Sequence, residues 1–135
     1  MLVRSIMRCP VIAVGPATSV RAVAALMKEW DIGAVVICEA GQVTGIVTDR
    51  DIVTRCFPNV PSDEPIAAIM TRDVATCRPG QTVREAANRM GDLQIRRLVV
   101  VDGTGAVGMI TLGDIANDAD EELAGQTLGE VVETR

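Results

Sequence analysis

Two short stretches of the chain set a hydroxyl and a carboxylate three residues apart. The first is Gly45-Ile46-Val47-Thr48-Asp49-Arg50-Asp51-Ile52, and the second is Gly108-Met109-Ile110-Thr111-Leu112-Gly113-Asp114-Ile115. Both read Gly, two apolar residues, Thr, two variable residues, Asp, Ile. The apolar part reads as a strand end and Thr-x-x-Asp as the first turn of a helix. Side chains so spaced can do two kinds of chemistry. They can cap their own helix, each bonding the other residue's backbone N–H. They can also hold a ligand, because an ionised carboxylate accepts several hydrogen bonds and a hydroxyl both donates and accepts. The tetrapeptide alone leaves both open.

Composition removes most other chemistry. The 135 residues contain no His, which excludes Ser-His-Asp and Cys-His catalysis and histidine metal sites within the chain. Cys9, Cys38, Cys56 and Cys77 form no Cys-x-x-Cys pair, so no zinc site is expected. Reduced thiols are the expectation, with Cys38 a small buried hydrophobe. A disulfide or redox role remains compatible with the even count. One Trp, one Phe and no Tyr leave few platforms for stacking bases. The net charge of −5 adds to the case against a nucleic-acid partner. No apolar run reaches the ~18–20 residues of a membrane span, and no signal peptide is read, so a cytoplasmic protein is expected.

The elements that position the two motifs are themselves repeated. Gly45 and Gly108 set an offset of 63 residues that needs no gap. In that register Ile6-Met7 falls on Ile69-Met70, Pro16 on Pro79, Val20-Arg21 on Val83-Arg84, and Met27 on Met90. Each copy predicts a strand (11–14 and 74–77), then a helix started by Ser19 or Thr82. Thr82-x-x-Glu85 has the form of a capping box. Two strands follow, 34–38 with 43–47 and 98–101 with 106–110, joined by Gly-containing turns. A second helix opens at each Thr-x-x-Asp. The expected division is 1–57 for the first repeat, 58–65 for a Pro-rich linker, 66–120 for the second repeat and 121–135 for an acidic tail, with one further short helix near Thr127. One such unit is too small to bury both faces of its sheet, so an α+β pair packed sheet to sheet about a pseudo-twofold axis is expected, with related clefts between its halves.

A repeated β-α-β-β-α unit, the lead-in segments Ser5-Ile6-Met7 and Ala68-Ile69-Met70-Thr71, and the G-h-h-T-x-x-D-h close together resemble a tandem cystathionine-β-synthase (CBS) domain pair, or Bateman module. The resemblance runs from about Val3 to Asn117 and is nearest to stand-alone bacterial CBS-pair proteins, a group that includes the hypoxic response proteins. It implies a regulatory module that binds an adenosine-containing ligand such as AMP, ADP, ATP, NAD or S-adenosylmethionine. Thr48, Asp51, Thr111 and Asp114 match the family's ribose and phosphate contacts. A carboxylate suits a ribose diol, and a hydroxyl with free amides suits phosphate. Arg96 and Arg97 match positions that often carry a phosphate, whereas the first copy has Gly33 and Ala34 there. Arg50, opposite Gly113 in register, is a further phosphate candidate. Val11, Ile12, Val74 and Ala75 match base-contacting positions, though each is equally an ordinary core residue.

The resemblance also implies a homodimer, for which Trp30 at the end of the first helix is a candidate contact. It carries no catalytic constellation and no required cofactor or metal. The other reading in view is an interaction or redox-linked scaffold with empty clefts and an unidentified protein partner.

Overall fold

The structure is a computed structural model that describes residues 1–56, 59–118 and 121–132. The expected linker begins at Pro58, and that residue, Phe57 and the last three residues of the tail lie outside the described residues.

The elements run α1 (Val3–Ile6), β1 (Ala13–Val14), α2 (Val20–Trp30), β2 (Ala34–Glu39), β3 (Gln42–Thr48), α3 (Asp49–Asp51), a π-helical turn (Ile52–Cys56), a 3-10 turn (Ile66–Ala68), β4 (Thr76–Cys77), α4 (Val83–Leu93), β5 (Arg97–Asp102), β6 (Gly105–Thr111), α5 (Leu112–Asp118) and α6 (Glu121–Val132). Two three-stranded sheets result, in the orders β1-β2-β3 and β4-β5-β6. In each, the first pair is parallel and the second antiparallel, and the register shift falls at Ile37/Cys38 in one and Val100/Val101 in the other. Even the irregularity obeys the repeat. The α+β repeat architecture expected from the sequence is present.

Local chemistry explains the helices. Ser19 Oγ accepts from the Ala22 N–H at 3.1 Å to start α2. Thr82 and Glu85 form a reciprocal capping box on α4. Both helices stop at a residue in the left-handed region, Asp31 (φ 51°) and Gln94 (φ 55°). Helically spaced Val20, Val23 and Met27 are buried on α2, as are Val83, Ala86, Ala87 and Met90 on α4. The hairpin turns depart from expectation in one detail. Gly41 (φ 77°) and Gly105 (φ 122°) take positive φ, but so does Ala40 (φ 52°), a residue with a Cβ. The predicted first strands are also shorter, because only their last two residues join the ladder.

The chain divides into two compact units. One is Val11–Val74, here unit I; the other is Met1–Pro10 with Ala75–Arg135, here unit II. The expected division follows the sequence repeat, and the compact units are out of phase with it. Each lead-in segment leaves its own repeat and packs on the other. Thr71 exchanges both backbone hydrogen bonds with Ile46 of β3, at 2.8 and 2.9 Å. Arg8 does the same with Met109 of β6, at 2.8 and 3.0 Å.

The motif glycines make this approach possible. Neither has positive φ, so their role is space. A Cβ on Gly45 would meet Met70 Sδ, and would lie 2.9 Å from Met70 Cγ. A Cβ on Gly108 would lie 2.7 Å from Met7 Sδ and 3.0 Å from the Arg8 carbonyl oxygen. The core of unit I gathers Val23, Val35, Ile37, Val47, Ile66 and Met70. That of unit II gathers Val3, Ala87, Met90, Leu98, Ile110 and Val131. Val131 belongs to α6, which packs on α4 and α5. Most of the segment read as an acidic tail is therefore a helix of twelve residues docked on unit II.

Candidate functional site

Each motif sits at the end of an antiparallel strand, where the chain turns into a short helix. In unit I the Thr48 hydroxyl accepts from the Asp51 N–H at 3.1 Å, and Asp51 Oδ2 accepts from the Thr48 N–H at 2.9 Å. In unit II the Asp114 N–H meets Thr111 Oγ1 at 3.1 Å, and the Thr111 N–H meets Asp114 Oδ2 at 2.9 Å. The capping reading is realised twice with the same geometry. It uses one carboxylate oxygen of each aspartate and leaves Oδ1 for another partner.

In both units an arginine faces that second oxygen, and the two arginines come from unrelated places. Asp114 Oδ1 accepts from Arg8 Nε at 2.8 Å, across 106 residues of sequence. Asp51 Oδ1 lies 3.6 Å from Arg55 Nε, one helical turn on. That separation is an ion pair without a hydrogen bond. Arg55 instead donates from Nη1 to the Ile69 carbonyl and to Thr71 Oγ1, both at 3.2 Å. The Asp114 side chain is 5% exposed while Arg8 is 74% exposed. The hydrogen bond to Asp114 raises the Arg8 pKa first, its charge second, and Asp118 adds a smaller pull against the opposing effect of burial.

Neither arginine was among the sequence candidates. Arg55 had a usable signal, four residues after Asp51 on a helical turn. Arg8 had none, since only the exchange of lead-in segments brings it to Asp114.

The sequence candidates fall at one end of each sheet. Arg97 is the cross-strand partner of Thr111, and the Arg96 carbonyl accepts the Leu112 N–H at 2.8 Å. Arg96 is exposed and Arg97 half-buried. The equivalents in unit I are Ala34 opposite Thr48, and Gly33, whose carbonyl accepts the Asp49 N–H at 3.0 Å. The Asp49 carboxylate lies over Gly33, 3.4 Å from where a Cβ would stand. Unit I thus carries a carboxylate where unit II carries a cation. Arg50 is exposed, and its backbone N–H is held by Asp49 Oδ1 at 2.8 Å.

Ile12 and Ala75 lead into β1 and β4, and their carbonyls accept from Val36 (3.0 Å) and Val99 (3.1 Å). Because β1 runs parallel to β2 and β2 antiparallel to β3, the start of β1 and the end of β3 share one end of the sheet. They stand two strand spacings apart, about 10 Å. Both residues are half-buried and pack on their unit's core, as their structural role requires. Val11 and Val74 precede them and are also half-buried, with Val74 closing unit I.

Trp30 is 58% exposed, and its equivalent in register, Leu93, is 47% exposed. All four cysteines are free; Cys56 and Cys77 are buried, Cys9 is exposed, and Cys38 is half-buried, less covered than expected.

Compared with known proteins, the chain has relatives along nearly its whole length. The CBS domain-containing protein YhcV of Bacillus subtilis is 34% identical over 128 residues, 93% of this chain and 91% of that one. Hypoxic response protein 1 of Mycobacterium tuberculosis is 33% identical over 121 residues, 87% of this chain and 85% of that one. A crystal structure of Hypoxic Response Protein I with two coordinated zinc ions matches with a TM-score of 0.78 at 29% identity, covering 89% of this chain and all of that one. The CBS domain pair of protein MJ0100, solved with 5′-methylthioadenosine and S-adenosyl-L-methionine, also gives 0.78 at 29% identity, covering 87% and 94%. Residues 3–57 and 66–120 each fit the CBS domain, so the chain belongs to the CBS-domain family and carries two such domains in tandem.

Proposed function

We propose that the protein is a regulatory sensor that binds an adenosine-containing ligand at the Thr-x-x-Asp motif of each unit. One observation carries the reading. Each motif carboxylate keeps one oxygen that the cap does not use, at the sheet end that also holds the Ile12 or Ala75 backbone edge. A ribose diol suits the carboxylate, and an adenine fits the half-buried aliphatic residues about 10 Å away. The adenosine ligands held by the MJ0100 domain pair support the same chemistry here. Among the possible ligands are AMP, ADP, ATP, NAD and S-adenosylmethionine. Arg96 and Arg97 in unit II, and Arg50 in unit I, would meet phosphate.

Catalysis forms no part of this reading: the chain has no histidine, and among the described residues the partners of Asp51 and Asp114 are the capping threonines and arginines. Nor does zinc, the metal of the Hypoxic Response Protein I structure. The chain has no histidine, and the described residues hold no group of three possible metal ligands. The exposed Trp30 and Leu93, at equivalent helix ends, favour a homodimer that uses both. No helix among the described residues is long and apolar enough to cross a membrane.

A thermal-shift series with adenosine, AMP, ATP, NAD and S-adenosylmethionine tests the function. A ligand at ~100 times its dissociation constant adds ~2.7 kcal/mol of stability. Changing Asp51 and Asp114 together to Asn keeps a cap acceptor and should abolish the response. A family of melting curves that no ligand moves sinks the proposal.

A further inference from the structure

The two motif carboxylates are equivalent in sequence but not in how they are covered. In the 63-residue register Arg8 corresponds to Thr71, and Arg55 to Asp118. Unit II carries its cation on the lead-in segment and an anion on the helix. Unit I carries its cation on the helix and a hydroxyl on the lead-in.

The consequence is a difference in what a ligand must displace. A diol that takes Asp51 Oδ1 disturbs a 3.6 Å contact, and Arg55 keeps its acceptors on Ile69 and Thr71. A diol that takes Asp114 Oδ1 breaks a 2.8 Å charge-assisted hydrogen bond to a nearly buried carboxylate. It leaves the Arg8 guanidinium without its partner. The Arg8 backbone stays pinned to Met109 by two hydrogen bonds, so the freed guanidinium remains within a side chain's reach of the site.

We propose that Arg8 is a specificity-determining residue of the Asp114 site, selecting phosphorylated adenosine ligands over the bare nucleoside. The inference rests on the adenosine reading above. A nucleoside takes the carboxylate from Arg8 and leaves the exposed guanidinium only water in exchange for a charged partner. A nucleotide exchanges one anion for another: the diol occupies Asp114, and the released guanidinium turns to the phosphate beside Arg97. Asp118, whose charge already reaches Arg8, keeps the cation at the mouth of the site. Unit I lacks the lead-in arginine: Arg55 keeps its own acceptors on Ile69 and Thr71, and the Asp49 carboxylate beside Gly33 offsets the charge of Arg50. The Asp51 site therefore accepts the nucleoside with little penalty.

The test uses the full chain carrying Asp51→Asn, which leaves the Asp114 site to be read alone. Titration calorimetry with adenosine and with AMP gives the ratio of their affinities. Adding Arg8→Gln should tighten adenosine and weaken AMP, lowering the ratio by roughly 5- to 10-fold. Arg8→Lys keeps a cation on a flexible stem and should hold the ratio above that of the Gln variant. A ratio unchanged by Arg8→Gln overturns the proposal, as does an equal loss for both ligands, which would make Arg8 a purely structural residue. Asp114→Asn in the same background separates the two levels. If both probes still bind, the adenosine reading at these motifs falls and the role of Arg8 falls with it. If binding needs Asp114 but the ratio ignores Arg8, only the selectivity is lost.

Discussion

The close approach of each lead-in segment to a motif glycine predicts a measurable coupling between two residues distant in sequence. Gly45→Ala puts a methyl against the Met70 side chain, with Met70 Cγ at 2.9 Å and the Thr71 carbonyl oxygen at 3.2 Å. Met70 is only 8% exposed and has little room to move aside. Overpacking of this kind costs about 1–3 kcal/mol. Met70→Ala alone leaves a cavity and costs about 2–5 kcal/mol. The double variant removes the atoms that the new methyl strikes, so its cost should fall short of the sum of the two single costs by ~1 kcal/mol or more. Urea unfolding followed by circular dichroism, with a constant m-value, reads all four corners of this cycle. Gly108→Ala with Met7→Ala should couple less, because the clash with the Arg8 carbonyl oxygen, 3.0 Å from the new Cβ, survives removal of the Met7 side chain. Additivity within ~0.5 kcal/mol for Gly45 and Met70 would refute the spatial role given to the glycine.

Two titrations follow from the same structure. Burial pushes the Cys77 thiol from 9.0 up to about 11, against a smaller opposing pull from Arg89. A folded-state value raised above the unfolded one contributes stability that is intact below pH ~9 and is lost as pH rises towards ~11. Cys77→Ala should therefore flatten only the alkaline limb of the stability curve, and a difference confined to neutral pH counts against the assignment. Glu85 lies below the ordinary carboxylate range, first through the Thr82 N–H, then through the Gln81 side chain and the Thr82 hydroxyl. Its contribution is present above pH ~4.5 and lost as pH falls through the lowered value. Glu85→Gln should remove part of the acid limb in a pH series of melting curves; identical acid limbs would show that the cap does not titrate with folding.

What could be read from the sequence was local or periodic. Ser19 and Thr82 announced their helices because a cap is a contact over three residues. The 63-residue offset transferred each element from one copy to the other, down to the register shift at Cys38 and Val101. The illegible features are long-range or depend on space. Nothing near Arg8 in sequence marks Asp114 as its partner. The sequence carried no reason for the motif glycines: their φ angles are ordinary, and only the neighbouring methionines show why a side chain is excluded. The acidic C-terminal segment carried a weak helical signal, while its docking depends on Gly91, where a Cβ would strike the Glu130 side chain. Position 28 of the first copy, a lysine, has no such gap to offer.

The two copies therefore separate what the fold needs from what a site can vary. The positions shared by both include four at the motif: its glycine, the methionine that crosses it, the capping threonine and its aspartate. Each is held by a steric or hydrogen-bonding demand that recurs in both units. Among the positions that differ, Arg8 against Thr71, Asp118 against Arg55, Arg96 against Gly33 and Arg97 against Ala34 lie beside the motif without joining either core. Core packing cannot account for their divergence, and all four change charge. Around Asp114 three arginines, Arg8, Arg96 and Arg97, stand with Asp118; around Asp51 two, Arg50 and Arg55, stand with Asp49. On the proposed reading, a duplicated scaffold that keeps its caps and alters the charges beside them would tell ligands apart by charge. That expectation stands or falls with the response of AMP and adenosine binding to Arg8.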